Sequence, residues 1–421
     1  MERLVIKGGK PLYGEVKISG AKNAALPILA ASLLTKGKYR IDNVPYLRDV
    51  DTMNSLLVTL GVECIHKNGS VDIFNTGNCG DCVASYELVK TMRASILVLG
   101  PMLSRTGQAK VALPGGCAIG ERPVNYHIAA LEKMGAKIEV SGGYINASCE
   151  KLKGAEIVFD KVTVTGTENL LMAATIADGV TVLQNAAREP EVKDLASFLR
   201  AMGADIEGDG TPTISIRGVK ELKPANYSVM PDRIEAGTFL CAVAGCGGRI
   251  IINDCPVSVM GAVMEKLKGA GLKIKVIDEN TVEAESNGTI KAVDIETFPY
   301  PGFPTDMQSQ FMAVMLKADG VSVITESIFE NRFMHVPEFK RMGADVSLSD
   351  SNAIVKGCRN FSGAPVMASD LRASAGLVIA AIMADNTSEI QRIYHLDRGY
   401  DGFEKKLSAL GADIRRIRSE K

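Results

Sequence analysis

Six places in this 421-residue chain put reactive or anion-binding side chains in front of an apolar, small-residue stretch. They are Lys22-Asn23, Arg93, Thr163-Val-Thr-Gly166, Asp232-Arg233, Asp306 and Asp370-Leu-Arg372. Each stands at an expected helix N-terminus, where free backbone N–H groups and the helix dipole favour anions. Taken singly, Asp and Thr there cap helices, and Lys and Arg are simply solvated. Six such loops in register, four of them with Lys or Arg, point instead to one converging anion site. A seventh loop, Leu113-Pro-Gly-Gly-Cys117-Ala-Ile-Gly120-Glu-Arg122-Pro123, is glycine-rich enough to move as a lid. It sets a thiol five residues before a guanidinium, and positive surroundings lower a thiol's pKa. Glu330-Asn-Arg332 and Tyr394-His395-Leu-Asp397-Arg398-Gly399 add further charge in matching loops.

Other chemistries are excluded by what is missing. No G-x-x-x-x-G-K-[ST] occurs, and residues 115–120 do not spell G-x-G-x-x-G, so neither phosphate-cradling fingerprint is present. His66, His127, His335 and His395 lack metal-ligand spacing and read as structural. Cys79-Gly-Asp-Cys82 has no second pair, so it reads as two free thiols in a surface loop. Net charge is −1, from 48 basic and 49 acidic residues, so no global field gathers nucleic acid or an anionic membrane. The longest apolar stretches, 24–34 and 373–384, fall short of the ~18 residues a membrane helix needs. The first residues lack the apolar run of a signal peptide. Nine cysteines, an odd number in a long chain, suit a reducing cytoplasm.

An internal repeat must position these loops. A phrase of helix end, Gly and strand start recurs at Gly61, Gly135, Gly203, Gly271, Gly343 and Gly411, with spacings of 74, 68, 68, 72 and 68. Gly suits the left-handed residue that closes a helix. A second turn precedes each by 23–28 residues, at Gly37, Gly107, Gly179, Gly248, Gly320 and Asn386, with β-rich runs after it. One unit therefore reads strand, helix, strand, helix, strand over about 70 residues, and six units fill the chain. An open solenoid needs polar capping repeats, which neither end shows. Two α/β domains of three units fit better: 22–229, and 1–21 with 230–421. Each buries its small-residue helices and turns its sheets outward, and residues 4–19 are expected to complete the sixth unit. Facing domains would point the loops into one cleft.

The motifs Ser19-Gly-Ala-Lys22-Asn23-Ala-Ala-Leu-Pro27, Lys90-Thr-Met-Arg93-Ala-Ser95, Leu113 to Pro123, Phe303-Pro-Thr-Asp306-Met-Gln308, Phe329-Glu-Asn-Arg332-Phe-Met-His335 and Asp397-Arg398-Gly399-Tyr400 resemble those of the UDP-N-acetylglucosamine 1-carboxyvinyltransferases. The resemblance covers nearly the whole chain. It implies two inside-out α/β barrels with the active site between them. It also implies transfer of the enolpyruvyl group of phosphoenolpyruvate to the 3′-hydroxyl of UDP-N-acetylglucosamine, with release of phosphate, the committed step of peptidoglycan synthesis. By resemblance, Lys22, Cys117, Arg122 and Arg398 surround phosphoenolpyruvate, Arg93 and Arg372 support the anionic cleft, and Arg332 and Asp370 are further substrate-binding residues. Asn23, Asp306 and Ile328 hold the sugar. Arg122, Pro123, Val124, Asn125 and Tyr126 hold the uridine, and Lys161, Thr163, Val164 and Thr165 the diphosphate.

Addition across the enol double bond needs a base for the hydroxyl and an acid for the methylene carbon. Asp306 is expected to be the base, with a helix N-cap as its alternative job. Cys117 is implied as general acid or in product release. No metal or cofactor is demanded, because Lys and Arg can stabilise the charged transition state. Two positions depart from the family pattern: Asn125 stands where Asp is expected, and Thr163-Val-Thr-Gly166 replaces a Ser-Val-Gly form. The rivals are a shikimate-using enolpyruvyl transferase, which needs no cysteine lid, and a catalytically idle sensor of UDP-N-acetylglucosamine.

Overall fold

The computed structural model describes residues 2–78, 82–114, 124–358 and 361–418. The chain divides into two compact units. One comprises 20–117 and 122–230, and the other is built chiefly from 1–19 and 231–421. Each unit has its own continuous apolar core.

Among the described residues there are six four-stranded sheets of one design. An edge strand runs parallel to a central strand, and two antiparallel strands follow, as in Glu156–Val158, Val180–Gln184, Thr213–Arg217 and Asp205–Glu207. The expected unit is therefore one strand short. After each repeat glycine the chain makes a hairpin, such as Val62–Lys67 with Ser70–Asn75. A short edge strand then hands over to the next repeat. Val83–Ala84 pairs with Gln108–Ala112 in this way. The strand missing from the expected unit is the second strand of the hairpin, which continues the first through a tight turn.

Each set of three sheets closes on itself. In the unit 20–230, the last edge strand, Tyr227–Ser228, pairs back with Gly37–Asp42 of the first repeat. In the other unit the N-terminal segment does this work, and it splits between two sheets. Glu2–Lys7 lies between Thr387–Gln391 and Asp413–Arg418 in the sixth repeat. Leu12–Lys17 is the parallel edge of the fourth repeat, beside Gly248–Asn253. The expectation that residues 4–19 complete only the sixth unit is corrected accordingly. Asp413–Arg418 takes Glu2–Lys7 as its antiparallel partner, and Leu12–Lys17 then edges the next sheet.

The small-residue helices lie inside. Lys22–Ala31, Leu99–Thr106 and Val164–Ala174 belong to one unit, and Arg233–Cys246, Gln308–Met315 and Leu371–Met383 to the other. They are buried almost all round, as helices without a polar face must be. Close approach explains their composition. A Cβ on Gly376 would come within 2.8 Å of the Ser309 carbonyl oxygen on a neighbouring helix. The second helix of each repeat is amphipathic instead. Arg48–Thr59 buries Val50, Met53, Leu56 and Leu57 and leaves its other face in water. The methionines before the repeat glycines, Met134, Met202 and Met342, are core. Among the described residues, no helix is long and apolar enough to cross a membrane.

The six repeat glycines have φ between 81° and 108°, the left-handed region that closes a helix. The earlier turn is also left-handed, and at the sixth repeat Asn386 takes it with φ 71°. Asn tolerates that region and a β-branched residue does not. Replacing Asn386 by Gly should therefore leave stability within ~0.5 kcal/mol, whereas Asn386→Val should cost ~1–3 kcal/mol. Urea unfolding curves of the two variants check this. An equal loss in both would assign the position's value to the side chain rather than to the backbone.

Candidate active site

The helix N-termini carry the predicted residues, and the geometry separates caps from other roles. Three loops do cap. The Thr163 hydroxyl accepts from Gly166 N at 3.2 Å. One carboxylate oxygen of Asp232 accepts from the N–H groups of Ile234 and Glu235. Asp370 does the same for Arg372 and Ala373.

Asp306 is not a cap. It sits in a 3₁₀ turn, Thr305–Met307, and the helix that follows begins at Gln308 without a side-chain cap. Its carboxylate instead lies between two guanidiniums. Arg332 Nη2 donates to Oδ1 at 2.9 Å, and Arg372 Nε and Nη2 donate to Oδ2 at 3.0 and 2.8 Å. The arginine side chains are 6% and 3% exposed and that of Asp306 is 26% exposed, so water reaches the carboxylate but scarcely the cations. Burial opposes the charge on Arg372. The Asp306 carboxylate, with Tyr400 and Asp232, outweighs it and holds the guanidinium firmly protonated. Arg372 also lies over the Tyr400 ring, 5.5 Å from its centroid. Its buried Nη1 has no hydrogen-bond partner among the described residues. A buried guanidinium N–H left unmatched is costly.

The surroundings hold this group in place. Gln310 Nε2 donates to the Asp306 carbonyl oxygen at 2.8 Å and to the Tyr400 hydroxyl at 3.1 Å. The Tyr400 hydroxyl also meets the Thr238 hydroxyl at 3.0 Å. Sequence reasoning missed Gln310 and Thr238, although Gln310 is an amide before an apolar run, a pattern that marks buried hydrogen bonding. Arg398 is half-buried. Its charge helps depress the pKa of His395, after the burial of that ring.

In the unit 20–230, Lys22 opens the helix Lys22–Ala31 and is itself buried. A cation at a helix N-terminus opposes the dipole. The Asp49 carboxylate offsets this at 3.0 Å from Nζ, also buried. Asp49 was missed because, two residues into the helix Arg48–Thr59, it reads as an ordinary first-turn acid. Asn23 and Arg93 are half-buried beside their helix starts. Val124, Tyr126, Thr163, Val164, Thr165 and Ile328 are half-buried as well, while Asn125 and Lys161 are exposed. Three buried acids were also missed. Burial, then Glu191 and Glu189, hold the Glu168 carboxyl well above the usual carboxylate range. Cys117, Arg122 and Pro123 lie outside the described residues.

The comparisons decide the family. The sequence model for EPSP synthase (3-phosphoshikimate 1-carboxyvinyltransferase) matches residues 6–407. A UDP-N-acetylglucosamine 1-carboxyvinyltransferase of Geobacter metallireducens is 55% identical over 418 residues, covering 99% of this chain and 100% of that one. The chain belongs to the UDP-N-acetylglucosamine 1-carboxyvinyltransferases, within the EPSP synthase family. A second member, from Nitratidesulfovibrio vulgaris, is 55% identical over 416 residues and covers 99% of both chains. The fold of the family also appears in the enolpyruvyl transferase NikO from Streptomyces tendae, with TM-score 0.88, 24% identity, and coverage of 100% of this chain and 99% of that one. EPSP synthase from Acinetobacter baumannii has TM-score 0.76 at 19% identity and covers 99% of this chain and 100% of that one. The closed three-sheet units and buried small-residue helices are thus this family's architecture of two inside-out α/β barrels.

Two histidines near the charged residues are kept neutral. Burial, then Arg93, lower the His127 pKa to about 4, and Asn169 Nδ2 donates to its Nδ1 at 2.9 Å. Burial lowers His335 to about 4 as well, with Asp370 pulling it up and Arg332 down. The unfolded chain takes these protons near pH ~6.5. Between that pH and about 4 the unfolded state binds more protons, so this contribution to stability is complete above ~6.5 and is lost as pH falls. Histidine NMR signals should show His127 and His335 still neutral at pH ~5.5. Titration of both near pH ~6.5 would contradict the burial argument.

Proposed function

We propose that this chain transfers the enolpyruvyl group of phosphoenolpyruvate to the 3′-hydroxyl of UDP-N-acetylglucosamine, releasing phosphate, as a cytoplasmic enzyme of peptidoglycan synthesis. The observation that carries the proposal is the Asp306 carboxylate, reached by water and held between the buried guanidiniums of Arg332 and Arg372. The identity of 55% to enzymes named for this reaction supports it.

Both substrates are polyanions, and the residues suit them. Arg398, Lys22, Cys117 and Arg122 meet the carboxylate and phosphate of phosphoenolpyruvate, and Arg332 and Arg372 hold Asp306 beside them. Arg93 and Asp370 support that anionic site, Arg93 by its charge and Asp370 by capping the Arg372 helix. Asn23, Asp306 and Ile328 hold the sugar. Arg122, Pro123, Val124, Asn125 and Tyr126 hold the uridine, and Lys161 with 163–165 the diphosphate. Asp306 takes the proton of the 3′-hydroxyl while its oxygen attacks C2 of the enol. The methylene carbon gains a proton and becomes a methyl group. Loss of phosphate and of a methyl proton then restores the double bond, with a new C–O bond to the sugar and the old C–O bond to phosphate broken. Cys117 serves as general acid or in product release.

The test is phosphate release with each substrate alone and with both. Release that requires both substrates is expected, and release with shikimate 3-phosphate in place of the sugar nucleotide would contradict the reading. Cys117 offers a second check. Burial pushes Cys64, Cys246 and Cys255 up to about 12, so these thiols are unreactive at neutral pH. Fosfomycin, an epoxide phosphonate charged like phosphoenolpyruvate, should spare these three and label Cys117 once per chain, with loss of activity. Peptide mass spectrometry reads the outcome, and an inhibited enzyme with unmodified Cys117 would overturn this part.

A further inference from the structure

Glu326 has no part in the proposed chemistry, and its carboxylate is buried where three segments of the fifth repeat meet. Its Oε1 accepts from the Thr297 hydroxyl at 2.8 Å, from Ile328 N at 3.0 Å and from Phe329 N at 3.3 Å. Its Oε2 accepts from the Thr305 hydroxyl at 2.8 Å. The Thr297 hydroxyl in turn accepts from Ser327 N at 3.0 Å, which fixes the direction of its proton. Thr297 directly follows the edge strand Ile295–Glu296. Thr305 directly precedes Asp306, and Ile328 begins the loop that leads to Arg332.

We propose that Glu326 is a positioning residue for the acceptor sugar, fixing the backbones of Asp306 and Ile328 relative to each other. The proposal rests on the assignment of Asp306 and Ile328 to the sugar made above. A carboxylate is the side chain that can gather four donors at one point, because an ionised acid is acceptor-only on both oxygens. Without it, two backbone N–H groups and two threonine hydroxyls lose their common acceptor. The Asp306 turn and the Ile328 loop then relax independently, and a displacement of ~1 Å is enough to cost ~10²-fold in rate. Gln is a partial substitute. Its oxygen can keep the three-donor side, and its NH₂ can face Thr305, whose hydroxyl can turn to accept.

Steady-state kinetics of Glu326→Ala and Glu326→Gln test this. Alanine should raise KM for UDP-N-acetylglucosamine by ~10-fold or more and lower kcat, with KM for phosphoenolpyruvate changing much less. Glutamine should restore most of the loss. Unchanged kinetics in the alanine variant, or equal rises in both KM values, would overturn the proposal, since a purely structural role has no reason to single out the sugar nucleotide. Should alanine prevent folding, Thr305→Val removes one donor beside Asp306 and should show the same split on a smaller scale. Amide hydrogen exchange supplies a readout independent of turnover. Ile328 and Phe329 should exchange at least ~10-fold faster in Glu326→Ala than in the parent chain, and unchanged exchange would overturn the positioning role. A parent chain that releases no phosphate would sink the functional reading, and the exchange result would still decide whether Glu326 fixes the loop.

Discussion

A carboxylate shared by two buried guanidiniums is the interaction on which the candidate site depends. Arg332 and Arg372 are too poorly solvated to stand alone, and a buried charge without a partner costs ~3–5 kcal/mol. Asp306 supplies the partner from a turn that Gln310 and Glu326 also hold. Its 26% exposed side chain remains accessible while the cations behind it do not. The fold therefore presents an acid to solvent on a base of fixed positive charge. The acid is held in place before any substrate arrives, so little reorganisation is needed at the moment of reaction.

The repeat supplies the positions. Each inner helix begins at a loop that follows an edge strand, so three helix N-termini per unit recur at equivalent places. Lys22, Arg93, Arg233 and Arg372 put cations at four such starts, against the local dipole. Caps from Asp232 and Asp370 and the ion pair from Asp49 offset that cost. Such an arrangement is poor for stability and well suited to binding anions, which is the usual signature of a functional site.

The repeat, the turn positions and the charged helix starts were legible because each leaves a local signal. Glycine at a left-handed position and a small-residue helix can be read within a few residues. The hairpin strand and the two-residue edge strands were not, since they are set by pairing partners far along the chain. The division of the N-terminal segment between the fourth and sixth sheets is the clearest case. Nothing in residues 2–17 distinguishes a strand closing one sheet from a strand edging another. Within the site, residue types announced Asp306 and Arg372. Their mutual pairing across 66 residues, and the contacts of Thr238 and Glu326 with Tyr400 and Thr305, depended on tertiary contacts between segments tens of residues apart.

The central claim is that Asp306 takes the sugar's proton and does not merely hold its neighbours. Asp306→Asn keeps the size and, through its one oxygen, the two bonds from Arg372, while it turns an NH2 toward Arg332 and removes proton acceptance, so folding is checked alongside. The decisive measurement pairs turnover of this variant with calorimetric titration of UDP-N-acetylglucosamine. The account predicts a fall in kcat of at least ~10²-fold with a far smaller change in binding. A folded variant that binds normally and keeps most of its kcat would contradict it.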